Sequence, residues 1–153
     1  MTLIIDLLSN FTLIAVGISW FLAQSLKVVI YRYEEGRWNL LHFLEAGGMP
    51  SAHSATVTAL TLAIGLSMGF DTALFTVCLV FALIVMYDAT GVRRAAGKQA
   101  ELLNKIVDDI YATGKIRIEK LKELLGHDPI EVVAGAGLAV VITLIVFYVY
   151  FII

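Results

Sequence analysis

The sequence predicts an all-α fold: a polytopic membrane helical bundle with four transmembrane helices and an amphipathic cytoplasmic helical loop. Three observations predict it. Apolar residues make up 59% of the 153-residue chain and charged residues 16%, against about 45–50% and about 25% in an average soluble domain. Four stretches free of Asp, Glu, Lys and Arg reach or approach the roughly 20 residues that cross a bilayer core. All eleven Lys and Arg fall in two of the segments that separate those stretches. With a mean hydropathy of +0.87, the chain is excluded from the disordered, collagenous, disulfide-scaffold and ordinary cytosolic-enzyme classes. A chain of this length forms one domain, residues 1–153.

The first span, 7–26, is uncharged and leads into Lys27. Met1-Thr2-Leu3 carries no positive segment, and no small-residue cleavage site ends the run, so the run reads as a retained span. The second, 52–70, has His53 as its one ionisable group. The third, 72–87, is short and must borrow from its flanks or thin the bilayer. The fourth, 132–153, ends in Phe147, Tyr148, Tyr150 and Phe151, a cluster suited to the membrane–water interface. Cys78 stands alone inside an apolar run, so no intrachain disulfide is possible.

Four crossings put the segment after the first span and the segment after the third on one side. These carry every basic residue, and the positive-inside rule makes that side cytoplasmic. Both termini and the Gly69-Phe70-Asp71 turn then lie outside, in what reads as a bacterial cell membrane. Within the cytoplasmic loop 88–131, Leu102, Leu103, Ile106, Val107 and Ile110 repeat at helical spacing. An amphipathic interfacial helix is expected over 92–111, and a second short helix over 115–125, broken off by Gly114 and Gly126.

Polar residues at membrane depth are costly and mark candidate sites. Three groups collect at the cytoplasmic ends. In Gly47-Gly48-Met49-Pro50-Ser51-Ala52-His53-Ser54, Ser51 suits a helix N-cap and His53 falls in the first turn. In Gly126-His127-Asp128-Pro129-Ile130-Glu131, Asp128, Pro129 and Glu131 have the spacing of a capping box, with His127 just ahead of it. Two helix N-termini directed at one place make an anion site. Asp88-Ala89-Thr90-Gly91-Val92-Arg93-Arg94 adds two guanidinium groups suited to bidentate phosphate contacts. Lys27 is a fourth contributor. Taken singly, each has a plainer reading: interfacial side chains for the histidines, a cap for Glu131, lipid anchoring for Lys27, Arg93 and Arg94.

Pro50-Ser51-Ala52-His53-Ser54 resembles the Pro-Ser-Gly-His motif of the type 2 phosphatidic acid phosphatase and vanadium haloperoxidase superfamily. His127-x-x-x-Glu131-Val132-x-x-Gly135 is similar to its last motif, His-x-x-x-Asp-Val-x-x-Gly. Together with Gly47-Gly48 and the Asp88–Arg94 segment, these residues resemble the small, divergent bacterial and plastid branch of that superfamily. Ala52 and Glu131 stand where the motifs carry glycine and aspartate, and the superfamily's Lys-x6-Arg-Pro and Ser-Arg elements are absent.

The resemblance implies hydrolysis of a lipid phosphomonoester, such as phosphatidylglycerophosphate, phosphatidate or a polyprenyl phosphate, through a phosphohistidine. His127 would be the nucleophile, Glu131 would hold its tautomer and His53 would be the general acid. Lys27, Ser51, Arg93 and Arg94 would bind the phosphate. No cofactor is implied; Asp88 with Glu131 is the one weak pair for Mg²⁺. The expected partner is a membrane lipid phosphate, with no nucleic acid, and the four spans against the superfamily's six make a homodimer plausible. The rival class is a non-catalytic lipid-phosphate binder, scaffold or transporter subunit that retains a degenerate pocket. The enzymatic reading requires His53, His127 and the cations to share one hollow.

Overall fold

The computed structural model describes residues 2–45, 47–112 and 127–153. Among them are six α-helices, one 3-10 turn and no strand. Helix α1 (Thr2–Leu8) ends where the Ser9 hydroxyl donates back to the Ile5 carbonyl at 2.8 Å. Asn10 then accepts from the Leu13 N–H at 3.0 Å and starts α2 (Phe11–Glu35). The first long apolar helix therefore begins at Phe11 rather than Leu7, because two adjacent capping side chains interrupt the run. It continues past Lys27 to Gly36, whose φ of 73° closes it in the left-handed conformation.

After a 3-10 turn at Leu40–Leu44, Ser51 caps α3 (Ala52–Met68) by accepting from the Ser54 N–H. Thr72 caps α4 (Ala73–Thr90) in the same way, through the Phe75 N–H. The expected tight turn lies between them, with Phe70 folded over Gly65, where a Cβ would meet its ring at 2.4 Å. Helix α5 (Val92–Ala112) matches the expected amphipathic segment and leaves Leu102, Leu103 and Ile106 exposed on one face. The expected helix at 115–125 lies outside the described residues. Helix α6 (Pro129–Phe151) opens with the capping box of Asp128 and Glu131.

Three helices, α2, α4 and α6, are long and apolar enough to cross a membrane. The sequence marks the third span as the short one; instead α4 reaches 18 residues by running on to Thr90, and the shorter apolar helix is α3, with 17 residues. At 1.5 Å per residue it rises about 25 Å. It packs against α2, α4 and α6 at once, and this enclosure lets it carry His53, Ser54, Thr56, Thr58 and Thr61 without presenting them all to lipid.

The interior is built from small residues. Ala23, Ala52, Ala55, Ala59 and Ala139 form one cluster between α2, α3 and α6. Ala15, Ala63 and Phe11 form another at the far end, where Phe11 meets the rings of Phe147, Tyr150 and Phe151. Lipid is as apolar as leucine, so helices in a bilayer gain from close backbone approach, which alanine and glycine allow. The larger apolar side chains, Val77, Phe81, Ile84, Val133 and Ile145 among them, point outward.

The closest approach is at Gly135, where a Cβ would lie 2.2 Å from the Ser51 carbonyl oxygen, whereas Gly137 faces open space. Gly135→Ala should therefore destabilise by about 1–3 kcal/mol through overpacking against backbone. Gly137→Ala should be neutral or stabilising by up to about 1 kcal/mol, as alanine is favoured over glycine within a helix. Paired thermal melts in detergent read both; equal midpoints for the two variants would contradict this packing.

Candidate functional site

One end of the bundle gathers the starts of α3 and α6 with the ends of α2 and α4. Two backbone hydrogen bonds join them. The Ser51 N–H donates to the Glu131 carbonyl at 3.0 Å, and the His127 N–H donates to the Ala89 carbonyl at 3.0 Å. The first ties α3 to α6 and the second ties α6 to the last turn of α4. With Gly135 against Ser51, the two helix starts are held in van der Waals contact. Consequently the His53 and His127 rings, which come from different helices, meet edge to face with centroids 5.7 Å apart. His127 is 2% exposed and both its ring nitrogens are buried.

Lys27 lies at the same end, 1% exposed. Its Nζ donates to the Glu45 carbonyl at 2.9 Å, which uses one of its three protons. The carboxylates of Glu131 and Glu45 are both within electrostatic range of it. Desolvating an ammonium costs several kcal/mol unless opposite charge compensates, and these two carboxylates with the Glu45 carbonyl supply that compensation.

The chain between α2 and α3 builds a wall that the sequence reading passed over. His42 stacks on Tyr31, with centroids 4.1 Å apart and planes at 20°. Its Nδ1 lies 2.7 Å from Glu45 Oε2 and its Nε2 2.9 Å from Glu35 Oε1. These hydrogen bonds, Glu45's foremost, raise the His42 pKa above the ordinary imidazole range despite the opposing effect of burial. Gly48, at φ 83°, lies flat on Tyr31, where a Cβ would meet Tyr31 Oη at 2.8 Å. His42 thus fixes Glu45, and Glu45 holds Lys27. The available signal was an unassigned histidine a few residues from Glu35 and Glu45, just ahead of Gly47-Gly48.

The remaining candidates fall as follows. Ser51 is fully buried and its amide is spent on Glu131, so it acts as cap and joint, and the first-turn amides of α3 are those of the residues after it. The Glu131 carboxylate accepts from the Asp128 N–H at 3.1 Å, so it fixes the backbone next to His127 as part of the cap. Asp88 is half-buried one residue before the Ala89 carbonyl that receives His127. Among the described residues no three His, Cys, Asp or Glu side chains converge on a metal position. Arg93 and Arg94 belong to the first turn of α5, and their side chains lie outside the described residues. Beyond His53, a cavity of about 530 Å³ extends between α2, α3 and α4.

A family model described as the divergent PAP2 family matches residues 8–142. An uncharacterised membrane protein of Bacillus subtilis (strain 168), YuiD, is 43% identical over 94% of this chain and 98% of its own length. No solved structure matches. The chain belongs to the divergent PAP2 family, and with three membrane-length apolar helices it is an integral membrane protein.

The His42 contacts carry a pH dependence. With the folded-state pKa raised above the free value of about 6.5, their stabilisation is complete below that value and is lost as pH rises through the folded-state pKa. The melting midpoint in detergent should fall between pH 6 and pH 9 for the wild type and stay nearly level for His42→Gln. Parallel pH curves for the two proteins would show that His42 does not carry this term.

Proposed function

We propose that this member of the divergent PAP2 family is a membrane lipid-phosphate phosphatase that hydrolyses a phosphomonoester through a phosphohistidine. The observation that carries the reading is the meeting of His53 and His127 beside a buried Lys27. A nucleophile about 3–3.5 Å from phosphorus and an acid about 3 Å from the leaving oxygen require the two rings, in edge-to-face contact here, to part and admit one small oxyanion.

In this reading a His127 ring nitrogen attacks phosphorus and the phosphorus–oxygen bond to the lipid breaks. His53, protonated, gives its proton to the departing oxygen, and the lipid alcohol leaves. His53, now neutral, takes a proton from water, whose oxygen attacks phosphorus and breaks the phosphorus–nitrogen bond. Phosphate departs and both histidines return to their starting states. Lys27 and the first-turn amides of α3 offset the charge on the non-bridging oxygens, with Arg93 and Arg94 added from α5. Such fixed dipoles and cations supply most of the rate in phosphoryl transfer. Glu131 is a positioning residue, acting on His127 through the Asp128 amide.

Four crossings, with α3 as the short one, belong to this reading. Ser51 lies at the site end and Ala63 packs against Phe11 at the other, which supports α3 running most of the bundle's height. The distribution of Lys and Arg supports a cytoplasmic site with both termini outside. The engagement of Glu131 in the helix cap favours a second reading, in which the chain binds lipid phosphate without turning it over.

Purified protein in detergent, offered a panel of lipid phosphates, should release inorganic phosphate. His127→Ala should abolish release, His53→Ala should slow it by about 10²–10⁴-fold, and Lys27→Met by about 10²–10³-fold. Equal release by wild type and both histidine variants would remove the enzyme. Absent wild-type release, with lipid-phosphate binding that survives His127→Ala, would select the non-catalytic reading.

A further inference from the structure

The chain that follows α2 does not leave the bundle. Helix α2 ends at Glu35, yet Phe43 packs edge to face on Trp20 and Phe21, with ring centroids 5.6 and 5.7 Å away. At 1.5 Å per residue Phe21 stands about 21 Å back from Glu35 along the axis, and side chains on a helix lean further toward its start. Phe21 also lies inside Lys27, the first charge after the apolar run. Residues 36–45 therefore double back along α2 into its uncharged stretch. The two sides of this return differ. His42 and Glu45 turn inward, to Tyr31 and Lys27. Trp38, Leu40, Leu41 and Leu44 are 65–80% exposed. A contiguous patch of large apolar side chains marks a protein or membrane contact. Through Phe43 the patch is continuous with the outward surface of α2, where Phe21, Leu22 and Leu26 are exposed.

We infer that residues 38–44 form a re-entrant foot in the lipid leaflet at the site end of the bundle, with Leu40, Leu41 and Leu44 among the acyl chains and Trp38 at headgroup level, and that this seating holds the Glu45 carbonyl on Lys27. The inference needs only that the chain is an integral membrane protein, and it stands apart from the phosphatase reading. Lipid excludes backbone whose polar groups are unanswered, and the foot answers its own. Asn39 Oδ1 accepts from the Leu41 N–H at 3.1 Å, the Asn39 carbonyl from the His42 N–H at 3.4 Å and the His42 carbonyl from the Glu45 N–H at 3.3 Å. Tryptophan collects at membrane–water interfaces. The Arg32 guanidinium lies over the Trp38 ring, 5.7 Å from its centroid, a pairing of aromatic body and cationic head suited to the headgroup level. In a 3-10 turn, side chains three apart share a face. Leu41 and Leu44 make the outward face, and His42 and Glu45 the inward one. One face cannot tilt without the other, so lipid contact outside bears on Lys27 inside.

The test uses the full chain, with Cys78→Ala, in phosphatidylcholine vesicles. Nitroxide labels are placed at Leu41→Cys, at Leu22→Cys on the outward surface of α2 and at Tyr33→Cys beyond Lys27. Collision with oxygen reports lipid, and collision with a water-soluble nickel complex reports water. The Leu41 label should show the oxygen preference of the Leu22 label and shed the nickel relaxation seen at Tyr33. A Leu41 label relaxed by nickel as strongly as the Tyr33 label would overturn the inference. So would spin–spin broadening at Leu41 that vanishes on dilution with unlabelled chain, since a second copy would then cover the patch. The coupling is read by acetylation with acetic anhydride, using Lys105, exposed on α5, as internal standard. Leu40→Ser, Leu41→Ser and Leu44→Ser together should raise Lys27 acetylation about tenfold, one tenfold step in the local opening equilibrium. Leu44→Ser alone should raise it less, which keeps the test open if the triple variant fails to insert. Lys27 acetylation unchanged in Leu44→Ser and in the triple variant would overturn the hold on Lys27. Neither readout involves phosphate release, so failure of the phosphatase leaves both results standing.

Discussion

The hydrogen bond from the Ser51 amide to the Glu131 carbonyl, closed over a glycine at position 135, is the joint on which the site depends. It holds two helix starts closer than any side chain larger than hydrogen permits. The two histidines meet because their backbones do: His53 is two residues beyond Ser51, and His127 is four before Glu131. Two of these backbone groups, the Ser51 amide and the Ala89 carbonyl, are ones that helix termini leave unsatisfied. The Ser51 amide and the Ala89 carbonyl are used to join helices, so the end of the bundle is closed without a connecting sheet or disulfide. The alanine-rich interior serves the same end, since α3 can be enclosed on three sides only if its neighbours come close.

Around this joint the charges form a chain of dependence. Glu35 and Glu45 hold His42, His42 lies on Tyr31, and the Glu45 carbonyl takes one proton of Lys27. The ammonium is thereby fixed at a depth it would not choose alone. A lysine free to extend would reach for water; here the backbone of the loop that follows α2 keeps it in.

Much of this was legible in the sequence. Hydropathy gave the long helices, since a run of twenty apolar residues has few other uses, and the capping residues Ser51, Thr72 and Asp128 start their helices where their side-chain chemistry predicts. The pairing of His53 with His127 followed from each standing at a helix start on the same side. Three features were not legible. The break at Ser9-Asn10 is two polar residues inside an apolar run, and hydropathy averages over them. Ser51 reads as a phosphate donor in the motif, yet its amide is claimed by a residue 80 positions away, a contact no local pattern encodes. His42 has no motif at all, because what makes it structural is the return of the loop onto Tyr31.

Gln24 shows the same divide from the other side. Along the sequence it is one polar residue near the end of an apolar run, and an interfacial glutamine would be unremarkable there. Only the packing around α2 makes its amide oxygen a buried one. Two helix pairs then set the two parts of this end of the bundle. The joint of α3 with α6 sets the distance between the imidazoles, while the spacing of α2 from α4 sets what can lie beside them. Phe81 and Val85 line the cavity but stand outside the joint, so changes there leave the contact between the histidines in place. The seam between α3 and α6, by contrast, is fixed by steric necessity, since nothing larger than hydrogen fits at position 135.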